Sequence, residues 1–392
     1  MNLREEALSM HRERPGKIAV QSTVEVKNKR QLSLAYTPGV AEPCREIHRD
    51  PDLSYAYTSR GNMVAVVSDG SAVLGLGNIG PLAAMPVMEG KAVLFKEFAG
   101  VDAFPICLST QDPDEIVAAV RAIAPSFGGI NLEDISAPRC FEVEQRLDAE
   151  LDIPVFHDDQ HGTAVVTLAG LLSALRIVEK KLSAVKIVIN GSGAAGTAIA
   201  KLLLDAGAEQ IIVCDSKGVI SADSSNAAKR ALAAITNPGK EAGTLHDVLR
   251  GADVFIGVSQ ANQLGGEQVK TMATDPVLFA MANPEPEIWP EDAIAAGAKI
   301  IATGRSDFPN QVNNVLGFPG IFKGALSVRT TINHQMKMAA AHALASLITD
   351  ADLAAGKVIP DPFLPLVSAT VAKMVARAAV ETGVARVPGE VS

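Results

Sequence analysis

The chain has 392 residues, a formal net charge of −9, 48% apolar residues and 20% charged residues. This length exceeds one ordinary domain and points to two or three, with enough apolar material for large cores. The acidic balance argues against a nucleic-acid footprint, which needs a basic stripe. It leaves room for an acidic substrate, because a bound divalent cation reverses the local field. Aromatic residues make up only 4%, so alanine, valine and leucine must fill most of the cores.

The N-terminal stretch MNLREEALSMHRERPGK is charged throughout and has no signal-peptide apolar run. The longest uncharged apolar-rich run, Gly162 to Leu175, is too short to span a bilayer and stops at Arg176. Cys44, Cys107, Cys140 and Cys214 are widely spaced with no C-x-x-C pair, and at least Cys107 and Cys214 fall in apolar, strand-like runs. Buried free thiols, a reducing compartment and a cytoplasmic location are expected.

In chain order, Met63–Val67 and Ala103–Leu108 read as strands, and Pro113–Ile123 and Pro138–Leu147 as helices with proline at or near their first position. Gly129–Asn131 and Ile153–Phe156 are again strand-like. From Gly162 the chain is apolar almost all round, which predicts a buried helix, and the boundary between two domains, 1–160 and 161–392, is placed there. Strand-like runs then recur at Val185–Asn190, Gln210–Cys214, Asp253–Val258, Val277–Met281 and Lys299–Ala302, with helix-like stretches between them. Such alternation means βαβ units and a parallel sheet covered on both faces, an α/β fold. Asn333–Ile348 and Pro365–Thr382 read as two closing helices.

G-x-G-x-x-G occurs twice, at Gly75-Leu-Gly77-Asn-Ile-Gly80 and at Gly191-Ser-Gly193-Ala-Ala-Gly196. Only the second follows a strand, opens a helix and has an acid, Asp215, closing the next strand 19 residues past Gly196. That is the context of a dinucleotide site: glycines admit the pyrophosphate to the helix N-terminus and the acid holds the ribose hydroxyls. The first is followed at once by Pro81 and reads as a tight turn.

Two acidic pairs, Glu133-Asp134 and Asp158-Asp159, each follow a strand-like run. Carboxylates converging from two strand ends suit Mg²⁺ or Mn²⁺, although aspartate is also a common helix cap. His157 and His161 have the spacing of a zinc helix, but Asp158 stands where that motif needs Glu, and the first histidine lies at a strand end. Tyr36, before Thr-Pro-Gly, and Lys91, beside Gly90 at the head of an apolar run, are candidate acid and base. A lysine buried beside a metal has its pKa lowered, which makes a neutral amine available.

YTPGVA, SDGSAVLGLGNIG, GKAVLF, INLEDI, FHDDQHGTA, GSGAAG, ANPEPE and NNVLGFPG occur in this order. In them the chain resembles the malic enzymes in their short bacterial form, over about residues 15 to 385. The resemblance implies an N-terminal mixed α/β malic-type domain and a C-terminal Rossmann-like NAD(P)-binding domain. It implies oxidative decarboxylation of L-malate to pyruvate and CO₂, with Mn²⁺ or Mg²⁺ held by Glu133, Asp134 and Asp159. Lys91 would be the general base and Tyr36 the general acid. Asn283, with Asn313 or Asn314, would hold substrate, and Gly191, Ser192, Gly193, Ala194, Ala195 and Gly196 would line the cofactor phosphates. Asp158 is expected to be structural, and a homodimer or higher oligomer is implied.

Asp215 favours NAD, Lys217 could meet a 2′-phosphate, and the family inclines the choice to NADP. One departure stands out: where long relatives carry an arginine that grips a substrate carboxylate, this chain has Ala72. A malolactic-type enzyme and a plain 2-hydroxy acid dehydrogenase are the rival readings. A regulatory protein on the same fold would be expected to lose a metal ligand or Lys91, and none is missing.

Overall fold

The computed structural model describes residues 2–388. Its first sheet is built from β1 (Met63–Ser68), β2 (Asp102–Cys107), β3 (Gly129–Leu132) and β4 (Val155–His157), in the order β2-β1-β3-β4 with every pair parallel. The second holds β5 (Lys186–Asn190), β6 (Gln210–Asp215), β7 (Gly218–Val219), β8 (Val254–Gly257), β9 (Val277–Ala280) and β10 (Ile300–Thr303), in the order β10-β9-β8-β5-β6-β7. Only the short β7 is antiparallel. β5 is followed in the chain by β6 on one side, and the chain then returns as β8 on its other side. Such a switch point opens a crevice beyond the strand ends.

Among the longer helices are α1 (Leu3–Glu13), α2 (Lys29–Ala35), α3 (Ala41–Arg49), α4 (Pro81–Ala99), α5 (Pro113–Ile123), α6 (Arg139–Glu150) and α7 (Asp158–Ile177). After them come α8 (Ala194–Asp205), α9 (Ala227–Ile235), α10 (Phe318–Ser327), α11 (His334–Ser346) and α12 (Leu366–Glu381). α7 is buried nearly all round, as its unbroken apolar run requires, and packs against α8 and α11. Valines of β1, the body of α7, isoleucines of β5 and phenylalanines of α10 belong to one continuous hydrophobic core. The last part of the chain thus returns onto the first sheet. Phe318 and Phe322 of α10 meet Phe95 of α4 edge-on, at centroid distances of 4.7 and 5.3 Å.

The strand and helix positions read from periodicity hold to within a few residues, with two corrections, to the start of α7 and to the burial of the thiols. α7 begins at Asp158, four residues before Gly162, so Asp158 and Asp159 form its first turn and do not lie on a strand-end loop. Acidic residues suit that turn because they face the positive end of the helix dipole. Pro138, read at or near the first position of its helix, is the N-cap of α6. The thiols are free, but Cys44 is exposed and Cys107, at the end of edge strand β2, is only partly buried. α1, α2 and α3, unforeseen in the sequence, bury no residue, so no apolar periodicity was there to announce them. No helix among the described residues is long and apolar enough to cross a membrane.

Candidate active site

Three strand ends of the first sheet converge. β1 leads into Asp69, β3 into Glu133-Asp134, and β4 through His157 into Asp158-Asp159. Ala72 donates its backbone N–H to the Asp134 carbonyl (2.9 Å), tying the β1 turn to the β3 turn. The Asp134 N–H donates to Asp159 Oδ2 (2.7 Å), tying β3 to the start of α7. Carboxylate oxygens of Glu133, Asp134 and Asp159 come within 4.8 Å of one another. Asp134 adopts φ 54°, a left-handed conformation that aspartate tolerates better than most residues.

Lys91 enters this cluster from α4. Its ammonium donates to Asp158 Oδ2 at 2.6 Å, lies 3.0 Å from Glu133 Oε1, and sits 4.3 Å from the centroid of the Phe318 ring. Burial alone would lower its pKa, but the Asp158 and Glu133 charges outweigh burial and raise it. The charges of these two buried carboxylates thus act against the burial that lowers it. Asp158, expected to be structural, is the direct ion-pair partner of Lys91. Burial also raises the pKa of Glu133, Asp158 and Asp159.

Asp158, Glu133 and Asp159 thus act on one lysine, with Asp134 beside them. A hard divalent cation fits that donor set, because it takes oxygen ligands and supplies the missing positive charge. Ala72 places only a methyl group in this segment. Arg139, nearby in the fold, is already engaged with Asp69 (3.1 Å) and Ser136 (2.9 Å).

The second glycine motif lies at the switch point of the other sheet. Gly191 has φ 132°, where glycine is favoured, and Gly193 caps α8 without any side-chain hydrogen bond to its first-turn N–H groups. Those donors are left for a ligand phosphate. Ser192, Ala194 and Ala195 are partly exposed along this turn, and Ala194 packs against the core of the first sheet, which brings the two sites together. A Cβ on Gly196 would overlap the Gly191 carbonyl oxygen. Gly196→Ala is therefore expected to weaken cofactor binding by roughly tenfold or more. Fluorescence titration with reduced cofactor checks this.

Asp215 closes β6, but Lys229 of α9, absent from the sequence reading, holds its carboxylate at 2.5 Å. Lys217 donates its backbone N–H to the same carboxylate (2.8 Å) and has an exposed side chain.

The first glycine motif forms no nucleotide turn. Gly75 is the point where that turn lies against the Asn283 carbonyl, with no room for a Cβ. Asn283 is exposed on the loop after β9, and buried Glu287 braces that loop by accepting the N–H groups of Ser259 (3.1 Å) and Ala282 (3.0 Å). Asn313 spends its side-chain oxygen on the Val315 N–H (3.0 Å) and lines a cavity of about 820 Å³ with Leu94 and Phe363. Asn314 lies against Gly162, one turn beyond Asp158.

Tyr36 is not brought to the cluster. It caps the end of α2, is 67% exposed, and no hydrogen bond joins its hydroxyl to Lys91 or the carboxylates. His157 and His161 form no metal pair. His161 bonds Glu144 of α6, a second residue for which no motif gave a signal.

A Rossmann-type sheet whose glycine turn packs against the sheet carrying a carboxylate–lysine cluster defines a nicotinamide-dependent dehydrogenase. Residues 15–148 match the family model "Malic enzyme, N-terminal domain", and residues 160–380 match "Malic enzyme, NAD binding domain". The chain is 61% identical to the bifunctional malic/malolactic enzyme of Bacillus subtilis, covering 99% of this chain and 95% of that one. It is 60% identical to the NAD-dependent malic enzyme of Geobacillus stearothermophilus, over 95% and 78% of the two chains. Relatives named NADP-dependent malic enzymes, such as that of Escherichia coli at 51% identity, are longer, and the chain spans 53% of that one. The crystal structure of malic enzyme from Pyrococcus horikoshii superimposes with a TM-score of 0.95 at 49% identity, covering 100% of this chain and 93% of that one. The chain belongs to the malic enzyme family.

Proposed function

We propose that the protein oxidises L-malate at the Lys91 cluster and releases pyruvate and CO₂, passing the hydride to a nicotinamide held on the Gly191–Gly196 turn. The observation that carries this is the junction of the two sites: a buried lysine beside Glu133 and Asp158 at the strand ends of the first sheet, with Ala194 of the glycine turn packed against the core of that sheet. In this reading Glu133, Asp134 and Asp159 hold Mn²⁺ or Mg²⁺. When bound, such a cation polarises the C2 oxygen, which favours both hydride loss and decarboxylation.

Lys91 takes the C2 hydroxyl proton as the C2 hydride leaves for the cofactor. To act as a base the ammonium must first lose its own proton, and the Asp158 carboxylate at 2.6 Å is placed to accept it. The C3–C4 bond then breaks, CO₂ leaves, and the electron pair passes toward the C2 oxygen. Protonation at C3 gives pyruvate. Asn283 and Asn314 orient the substrate, Asn313 is committed to its local cap, and no arginine at position 72 contributes.

Tyr36 remains the acid of this reading only if the N-terminal arm is delivered to a site. That arm carries exposed Leu32, Leu34 and Tyr36 and buries nothing of its own, so a homo-oligomer in which a second copy receives it is the natural arrangement. The division of the chain near residue 160 and a cytoplasmic location belong to the same reading.

Cofactor choice follows from the end of β6. Lys229 neutralises Asp215, and Lys217 is free to meet a phosphate, which inclines the site to NADP although Asp215 is the residue that favours NAD. Because a relative bears the name malic/malolactic enzyme, conversion of malate to lactate is the second reading. The test is malate turnover with NAD and with NADP, each with and without Mn²⁺, following reduced cofactor, pyruvate and lactate. Equimolar pyruvate and reduced cofactor, dependent on Mn²⁺, is the expected result. Lactate without net reduced cofactor would favour the second reading, and oxaloacetate without CO₂ would overturn decarboxylation.

A further inference from the structure

Glu144 lies on α6, outside the carboxylate–lysine cluster. Its side chain accepts the backbone N–H of His157 (2.9 Å), the side-chain amide of Gln160 (2.9 Å) and the His161 ring Nε2 (3.0 Å). These three donors bracket Asp158 and Asp159 in the chain. One carboxylate therefore grips both sides of the turn that faces Lys91 and the other acids. Its side chain is only 13% exposed, so water contributes little to holding these donors. Burial opposes its charge, but the His161 ring and the Lys337 ammonium of α11 offset this and bring its pKa down to about 2.

The inner face of the turn makes two short bonds, Asp158 to the Lys91 ammonium (2.6 Å) and Asp159 to the Asp134 N–H (2.7 Å). Both depend on where the first turn of α7 sits. Misplacement of a reacting group by about 1 Å can cost about 10²-fold in rate.

We propose that Glu144 is a positioning residue: by holding His157, Gln160 and His161 from behind, it fixes Asp158 on Lys91 and Asp159 at the cation site. The proposal rests on the reading of Glu133, Asp134 and Asp159 as cation ligands. Carboxylates behind a ligand set act by fixing its orientation, and their loss typically weakens metal binding by about 10–100-fold. Glu144→Gln keeps the shape and an oxygen toward the His157 N–H, but turns an NH₂ group toward the other donors, so its effect should fall between wild type and Glu144→Ala.

The test is Mn²⁺ titration of the metal-stripped full chain, following free Mn²⁺ by EPR, beside titration with reduced cofactor. Glu144→Ala is expected to weaken Mn²⁺ binding about 10–100-fold and to lower kcat, while cofactor affinity stays within about twofold of wild type. A purely structural role would not separate the two affinities. Should the alanine variant fail to fold, Glu144→Gln and Glu144→Asp decide by the same titrations. Wild-type Mn²⁺ affinity in the folded Glu144 variants, with Asp159→Ala losing it, would overturn the positioning role. Wild-type affinity in Asp159→Ala itself would overturn the ligand assignment beneath it.

Discussion

Lys91→Ala is expected to lower the rate of malate oxidation by roughly 10²- to 10⁴-fold, the range of a positioned general base. The variant should lose the ketonisation of supplied enolpyruvate less, because C3 gains a proton from the acid while the enol hydroxyl, more acidic than the alcohol of malate, gives up its own proton to a weaker acceptor and no hydride moves. Equal loss of the two partial reactions would show that Lys91 is not a separate base. Removing the ammonium also leaves Asp158 and Glu133 buried without their ion-pair partner. A broken buried pair ordinarily costs about 3–5 kcal/mol, so a lower unfolding temperature in metal-free buffer is expected. The Lys91 ammonium lies 3.0 Å from Glu133 Oε1, and its loss frees that carboxylate. Mn²⁺ should therefore bind Lys91→Ala at least as tightly as wild type and restore part of the lost stability. Weaker Mn²⁺ binding would mean that the lysine organises the cation site and does not compete for it.

Asp159→Ala should abolish metal-dependent turnover and leave cofactor binding largely intact. The carboxylate is the only one of the three proposed ligands that comes from α7, and its loss leaves the cation two acids from a single turn. The expected fall in Mn²⁺ affinity is at least roughly 100-fold, the upper end for loss of a group behind the ligands. The glycine turn shares no hydrogen bond with Asp159, so titration with reduced cofactor should change little. Near-normal turnover in chelator-treated buffer would show that the three carboxylates serve no cation.

The parts of the molecule legible in the sequence are those with a period or a fixed local shape. β1, β5 and β8 are runs of branched apolar residues buried on both faces, and the Gly191–Gly196 turn requires glycine for its backbone path. What could not be read were contacts between distant segments whose chemistry is ordinary in each. Lys229 on Asp215, Glu144 behind Asp159 and Glu287 under the Asn283 loop are single charged residues in unremarkable helices and loops. Only the fold supplies their partners.

The ion-pair partners of Lys91 are hidden in the sequence for the same reason. Its burial is legible from an apolar run, whereas the two carboxylates whose charges act against that burial arrive from the ends of β3 and β4. The start of α7 was placed late because charge and glycine interrupt the apolar pattern that announces its body.

The shared core has a mechanical corollary. Lys91 belongs to α4, on the first sheet, yet the ring beneath its ammonium is Phe318 of α10, which also wedges against Phe95. A wide hinge about residue 160 would strip the aromatic floor from the lysine and expose the phenylalanine cluster to water. Admission of substrate is better served by small sliding of the packed helices, and a fragment ending at residue 160 would leave the apolar face of α4 uncovered and cut α7 within its first turn. Cutting the chain there should give two insoluble pieces rather than two working halves.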